Sequence, residues 1–212
     1  MRSESRSPSR RGFTLVELLV VMALIAIIST LSAPNFLRLV HRSKLTGFAR
    51  QSESLMRLAR QYSIRHNTPA VVRIDTASEE IIAFVDIDGV NAGDPSDRIF
   101  NPVAGRPTRS TDFEVARYRL PNSVDFDGPT ADPYGHGAVS DFTPVATENV
   151  AVFRPNGSVV HAGAFRLADK FGNYLELRVD PPISGRIQVR KFSDVDLKWH
   201  LRNETGKPWK WN

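Results

Sequence analysis

Four aspartates, Asp86, Asp88, Asp94 and Asp97, fall at positions 1, 3, 9 and 12 of a notional calcium-binding loop. That spacing can offer oxygen ligands to a hard cation. Such a loop also wants Gly at position 6 and a bidentate Glu at position 12, where this chain has Asn91 and Asp97, with Val90 at position 5. An acidic, solvated turn is the alternative reading. The five histidines (His41, His66, His136, His161 and His200) show no metal-like spacing, and without cysteine a zinc site is not expected. The same absence removes disulfide frameworks, iron–sulfur clusters and cysteine nucleophiles. No phosphate-binding loop, nucleophile elbow, zinc-protease helix or dinucleotide turn occurs. Enzymatic chemistry has no residues to rest on, and no cofactor is expected.

A different chemistry is legible at the C-terminus. Lys198, Trp199, His200, Arg202, Lys207, Trp209, Lys210 and Trp211 interleave cations with all three tryptophans of the chain. Aromatic faces and cations together suit base stacking and phosphate contact on a single nucleic-acid strand. Tryptophans docked on the fold or on a neighbouring subunit are the alternative, because Trp is enriched at interfaces.

The positioning elements begin with the charge. The 212 residues carry 28 Lys+Arg against 23 Asp+Glu, a net of +5, with 41% hydrophobic residues. These proportions fit a folded chain of one domain, or one domain with an appendage. The excess is concentrated in residues 1–12, MRSESRSPSRRG, which hold four Arg and one Glu and nothing that could pack. From Phe13 to Ala33 the chain is apolar, with Glu17 as its one charge. A helix of that length spans roughly 31 Å, the thickness of a bilayer's hydrocarbon core. Arginines ahead of the span place the N-terminus in the cytoplasm and the remainder outside. A cleaved secretory signal fits less well: its apolar region is about 7–15 residues and uncharged. A carboxylate in such a span needs either a shallow, headgroup-level position or a positive partner on another subunit.

Gly12-Phe13-Thr14-Leu15-Val16-Glu17, the apolar helix and then Ala33-Pro34-Asn35-Phe36 closely resemble the start of a type IV prepilin or type II secretion pseudopilin. The resemblance covers about the first 40 residues. It implies cleavage between Gly12 and Phe13 by a prepilin peptidase and methylation of the new Phe13 amine. It also implies that Glu17 pairs with such an amine during assembly, and that Pro34 sits where pilin helices commonly kink. An ion pair of this kind offsets the cost of burying the glutamate in a subunit stack.

Pro34 is expected to bend the helix without ending it. Beyond it, Phe36, Leu37, Val40, Leu45, Phe48, Leu55, Leu58, Ala59 and Tyr62 recur at helical spacing. The other face carries Arg38, Arg42, Lys44, Arg50, Arg57, Arg60 and Arg65 against Glu53. That face contacts anionic headgroups or an acidic neighbour, or is simply solvated. Gly47 marks a weak point worth ~1 kcal/mol. After Pro69 the period changes to two. Strands are expected at 70–74, 81–85, 113–120, 150–154, 158–161, 164–167, 174–179 and 186–192, with Asn156-Gly157 as a type I′ hairpin turn. The Gly-, Pro- and Asp-rich stretches 86–112 and 125–147 read as long surface loops.

The expected organisation is a basic leader, 1–12, and a membrane and assembly helix, 13–33. An amphipathic continuation of the helix follows at 34–66, then a β-rich domain at 67–197 and a basic, Trp-rich tail at 198–212. The fold class is α+β: a long N-terminal helix packed on an antiparallel sheet or sandwich. Phe153-Arg154-Pro155-Asn156-Gly157-Ser158 and Gly185-Arg186-Ile187-Gln188-Val189 resemble minor pseudopilins and minor pilins of the GspH/FimT type. The resemblance implies a structural subunit of a type II secretion pseudopilus or type IV pilus, acting in filament initiation or tip formation. It implies an inner-membrane protein with a periplasmic domain, whose partners are the peptidase, other pilin or pseudopilin subunits and secreted cargo. Some FimT-like proteins bind DNA through a basic motif beginning Gly-Arg. Gly185-Arg186 with Arg190 and Lys191 matches it in part, so DNA binding at a pilus tip is the alternative function. Removal of residues 1–12 leaves 24 basic and 22 acidic residues, so the overall charge says little about partners and its distribution says more.

Overall fold

The computed structural model describes residues 13–85, 113–132, 137–145, 148–202, 204, 209 and 211. Helix α1 runs Leu15–His66 without interruption through Pro34. Pro34 does not end the helix: one missing donor and one displaced carbonyl are outweighed by the turns on either side. The chain divides into two compact units, one reaching to Val40 and the other His41–Asn212. In the first, every described residue from Phe13 to Leu39 is exposed.

The second unit contains the core. From His41 onward α1 buries His41, Leu45, Phe48, Ala49, Ser52, Leu55, Met56, Ala59 and Ser63. Their spacing of three and four residues makes one stripe along the helix. The buried stripe therefore begins later than the apolar pattern suggests. Phe36 and Leu37 are exposed, and three hydrophilic residues, His41, Ser52 and Ser63, belong to the buried face. Ser52 and Ser63 can do so because their hydroxyls donate to the helix carbonyls of Phe48 (2.9 Å) and Arg60 (2.8 Å).

Two antiparallel sheets complete the unit. The first is built from β1 (Ala70–Asp75), β2 (Glu80–Val85), β3 (Phe113–Arg119), β6 (Thr143–Val145) and β7 (Glu148–Phe153), in the order β3-β2-β1-β7-β6. The second contains β4 (Val124–Asp125), β5 (Val139–Ser140), β8 (Gly163–Asp169), β9 (Tyr174–Val179), β10 (Ile187–Ser193) and β11 (Lys198–Leu201). Its order is β11-β10-β9-β8-β4, with β5 also on β8. Leu45, Phe48, Leu55 and Met56 of α1 share one hydrophobic cluster with Val72, Ile81, Phe153, Phe165, Leu167, Leu175 and Leu177 of the sheets. The alternate residues of the first sheet, Val71, Ile82, Phe84, Val150 and Val152, form a second cluster. The fold is thus the expected one, with the helix packed on antiparallel sheets.

Four details correct the sequence-based reading. Residues 125–147 are not simply a loop, because they contribute β5 and β6 and the end of β4. Residues 158–161 do not form a strand; only Val159 bridges back to Phe153. The turn is not type I′. Pro155 holds φ negative, the Gly157 amide donates to the Arg154 carbonyl (2.8 Å), and Gly157 alone carries the positive φ, +80°. This places the left-handed residue after the turn, as in a hairpin with a glycine bulge. The tail begins not as an appendage but as β11, which extends the second sheet. The candidate calcium loop, Asp86 to Asp97, lies outside the described residues.

Candidate functional site

Two places bring the nominated residues together. The first is the start of α1. The Thr14 backbone amide and hydroxyl both donate to Glu17 Oε2 (3.0 and 3.1 Å), and the Glu17 amide donates to the Thr14 hydroxyl (3.2 Å). This is a reciprocal capping box, which satisfies donors that the first helical turn leaves free. Thr14-Leu15-Val16-Glu17 has the T-x-x-E spacing of that motif, a signal the sequence reading did not use. Farther along, the Thr30 and Ser32 hydroxyls donate to the Ile27 and Ile28 carbonyls (2.8 and 2.9 Å). The polar side chains of the apolar stretch thus meet their hydrogen-bonding needs within the helix, as a lipid or protein surround requires. The helix is long and apolar enough to cross a membrane: its most apolar 18 residues have a mean hydropathy of 2.5, and none of that stretch is buried.

The second place is a groove of about 820 Å³ between the outer side of α1 and the end of the second sheet. The helix supplies Arg42, Arg50, Glu53, Arg57 and Arg60, and the β9–β10 connection supplies Gly185 and Arg186. Ile187, Gln188 and Val189 of β10 form part of its wall, with Arg202, Trp209 and Trp211 beyond β11. Among the described residues, six arginines thus face one carboxylate. Glu53 is taken by Arg57 (2.6 Å), Arg60 Nε donates to the Gly157 carbonyl (2.7 Å), and Arg42 lies 4.3 Å from the ring centre of Trp211. Among the described residues, Arg50, Arg186 and Arg202 have no ionic partner.

Gly185 explains the local geometry of the Gly-Arg pair. It has φ +55°, and a Cβ there would lie 2.4 Å from the Gly157 carbonyl oxygen and 3.2 Å from Arg60 Nε. Only glycine lets these two turns and the arginine meet, which fixes where Arg186 leaves the chain.

The structure sorts the nominated basic and aromatic residues. Arg186, Arg202, Trp209 and Trp211 converge on the groove. Arg190 turns to Gln188 (2.9 Å), and Lys198 is exposed on β11. Lys191 is buried, with Nζ donating to the Phe192 carbonyl (3.2 Å), so it is not a surface contact, and burial lowers its pKa. Trp199 packs on Phe192, 5.2 Å between ring centres, and lies 5.7 Å from the Arg166 guanidinium, away from the groove. Lys207 and Lys210 lie outside the described residues. Trp209 donates to the His200 carbonyl (3.0 Å) and meets Trp211 edge-on. The helix arginines, read from sequence only as one face of an amphipathic helix, are the part of this site that only the fold reveals.

Among the described residues, the capped apolar first half of α1 packs on nothing, whereas its second half backs a pair of antiparallel sheets. Residues 7–33 match the prokaryotic N-terminal methylation motif. Over 63 residues it is 40% identical to the type IV major pilin protein PilA of Myxococcus xanthus (strain DK1622). That stretch is 30% of this chain and 26% of the relative, so the match spans about a quarter of that protein. The crystal structure of the type IV minor pilin FimU of Pseudomonas aeruginosa (strain PAO1) aligns with 70% of this chain and 89% of its own, at 14% identity and a TM-score of 0.41.

Proposed function

We propose that the chain is a minor pilin or minor pseudopilin, a non-enzymatic subunit of a type IV pilus or type II secretion pseudopilus that acts in filament initiation or at the tip. In this reading residues 1–12 are a leader that holds the N-terminus in the cytoplasm, and the domain from 67 onward is periplasmic. The prepilin peptidase cuts between Gly12 and Phe13, and the Phe13 amine is methylated. The observation that carries the proposal is the exposed apolar helix. From Phe13 to Leu39 no side chain is buried, so this surface needs lipid before assembly and neighbouring helices after it. Glu17 suits the pairing role: both Thr14 bonds fall on Oε2, and among the described residues Oε1 has no partner, which leaves it for an amine. Pro34 gives the helix a place to bend in a crowded stack.

The test is the mature N-terminus. Mass spectrometry of the chain extracted from membranes should find Phe13 first, methylated, and Gly12→Val should leave the leader attached. A chain that still begins at Met1 overturns the assignment.

A DNA-binding role at a pilus tip is the second reading, favoured by the convergence of Arg186, Arg202, Trp209 and Trp211. The contacts of the tryptophans weaken it. Arg42 and Lys191 (5.2 Å) both lie over the Trp211 ring, Trp209 is edge-on to it, and both indoles are half-buried, so less aromatic surface is left for bases to stack on.

A further inference from the structure

The groove has a second property besides charge: it contains an unpaired strand edge. The ladder between β10 and β11 runs from Arg190↔Leu201 to Ser193↔Lys198, whereas β10 pairs with β9 from Ile187 to Lys191. On the β11 side, Ile187, Gln188 and Val189 therefore have no strand partner among the described residues. The direction of their backbone groups follows from one bond. The Asp180 amide donates to the Arg186 carbonyl (3.0 Å), so Arg186, Gln188 and Arg190 direct their amides and carbonyls toward β9. By the alternation of an antiparallel ladder, Ile187 and Val189 direct theirs the other way, to the side β11 has left. These residues line the basic groove.

We propose that this groove binds an extended, carboxylate-rich segment of a partner polypeptide, which adds as a short strand along Ile187–Val189 while its acidic side chains pair with Arg50, Arg186 and Arg202. Within the filament reading, on which this choice of partner rests, the segment belongs to a neighbouring subunit. Two features select a peptide over a nucleic acid. An added strand needs open backbone donors and acceptors, and the groove supplies them. Base stacking needs open aromatic faces, and the Trp211 ring already has Arg42 and Lys191 over it with Trp209 edge-on. The charge is complementary as well, because among the described residues Glu53 is the one acid in the wall and it is already paired with Arg57. The open edge is short, about 10 Å at ~3.3 Å per residue, so backbone pairing sets register and the arginines supply much of the attraction.

The test uses the full chain in detergent micelles and a labelled octapeptide of alternating Glu and Thr, capped at both ends. Saturable binding that weakens with salt is expected. It should fall at least tenfold when Lys replaces Glu in the peptide, and likewise when Pro replaces its central residues and removes their amides. Arg186→Glu and Arg202→Glu, both at exposed positions, should each weaken binding severalfold with an unchanged circular-dichroism melt. Hydrogen exchange should show the peptide protecting the Ile187 and Val189 amides. No binding at low salt overturns the proposal, as does binding indifferent to the Pro replacement, which is ionic adsorption only. A thymidine oligonucleotide that binds through the same arginines where the peptide does not would assign the groove to nucleic acid. Processing at Gly12 is read in a separate experiment, so failure here leaves the subunit assignment to stand or fall alone.

Discussion

His200 shows how one residue ties the end of the chain to the fold. Its Nε2 lies 2.8 Å from Asp196 and its Nδ1 2.9 Å from Glu204, so only the doubly protonated imidazolium can donate to both. The hydrogen bond to Asp196 raises its pKa most, burial opposes that, and Glu204 adds to the rise. A His with a raised folded pKa contributes stability that is fully present below its ordinary value of 6.5 and is lost as pH climbs through the raised value. His41 works in the opposite direction. Burial first, then Lys170 and Lys44, lower its pKa, so its contribution is present above 6.5 and lost as pH falls. Comparison with His200→Gln isolates the first effect. The melting temperature of the unmodified chain should exceed that of the variant most at about pH 5–6, and the gap should narrow toward about pH 9. A gap that widens with pH would contradict the charged clamp. Because the His200 carbonyl also accepts from Trp209, the variant should loosen the tail before it loosens the core.

At the scale of elements, the second sheet is held in register by an ion pair that sequence periodicity does not announce. Arg166 of β8 and Glu176 of β9 are cross-strand partners, 2.7 Å apart and almost completely buried. The same guanidinium donates to the Gly137 carbonyl (2.8 Å) and the Ser140 hydroxyl (3.1 Å), drawing β5 onto β8. A charge in such a place is stable only with its partner. Glu176→Gln should therefore cost about 3–5 kcal/mol in chemical denaturation, far more than an exposed pair such as Glu53–Arg57 would. A loss under about 1 kcal/mol would show that solvent reaches the site. Strand positions were readable where β-branched and apolar residues run together, as in β1, β2 and β9. Strands β5, β6 and β11 were not, because they are short and owe their pairing to neighbours and not to their own composition.

For the whole molecule, the burial pattern separates the part that packs on a core from the apolar helix ahead of it. Every residue of the hydrophobic core among the described residues lies at Leu45 or beyond. A chain lacking residues 1–33 should remain in the aqueous fraction and melt cooperatively at the temperature of the full-length protein in detergent, within about 3 °C. A large loss of stability would mean that the apolar helix contributes to the fold itself. The apolar helix and the methylation-motif match were legible because they are local: twenty or so apolar residues, a basic flank and Gly-Phe-Thr-Leu-Val-Glu are contiguous in the chain. The amphipathic helix and the α+β class were legible too, since periods of 3.6 and 2 are properties of single segments. The groove was not. Its cations come from α1 and, more than 100 residues later in sequence, from the β9–β10 turn and the tail, and its open edge exists only because β11 stops at Leu201 opposite Arg190. Sequence alone determined that residues 13–33 form one apolar stretch behind a basic flank and that residues 7–33 match the methylation motif, because both are properties of one contiguous segment. Tertiary structure alone decided which arginines act together, which tryptophans are spent on packing and which strand stays unpaired, because burial and backbone pairing depend on residues that meet only after folding.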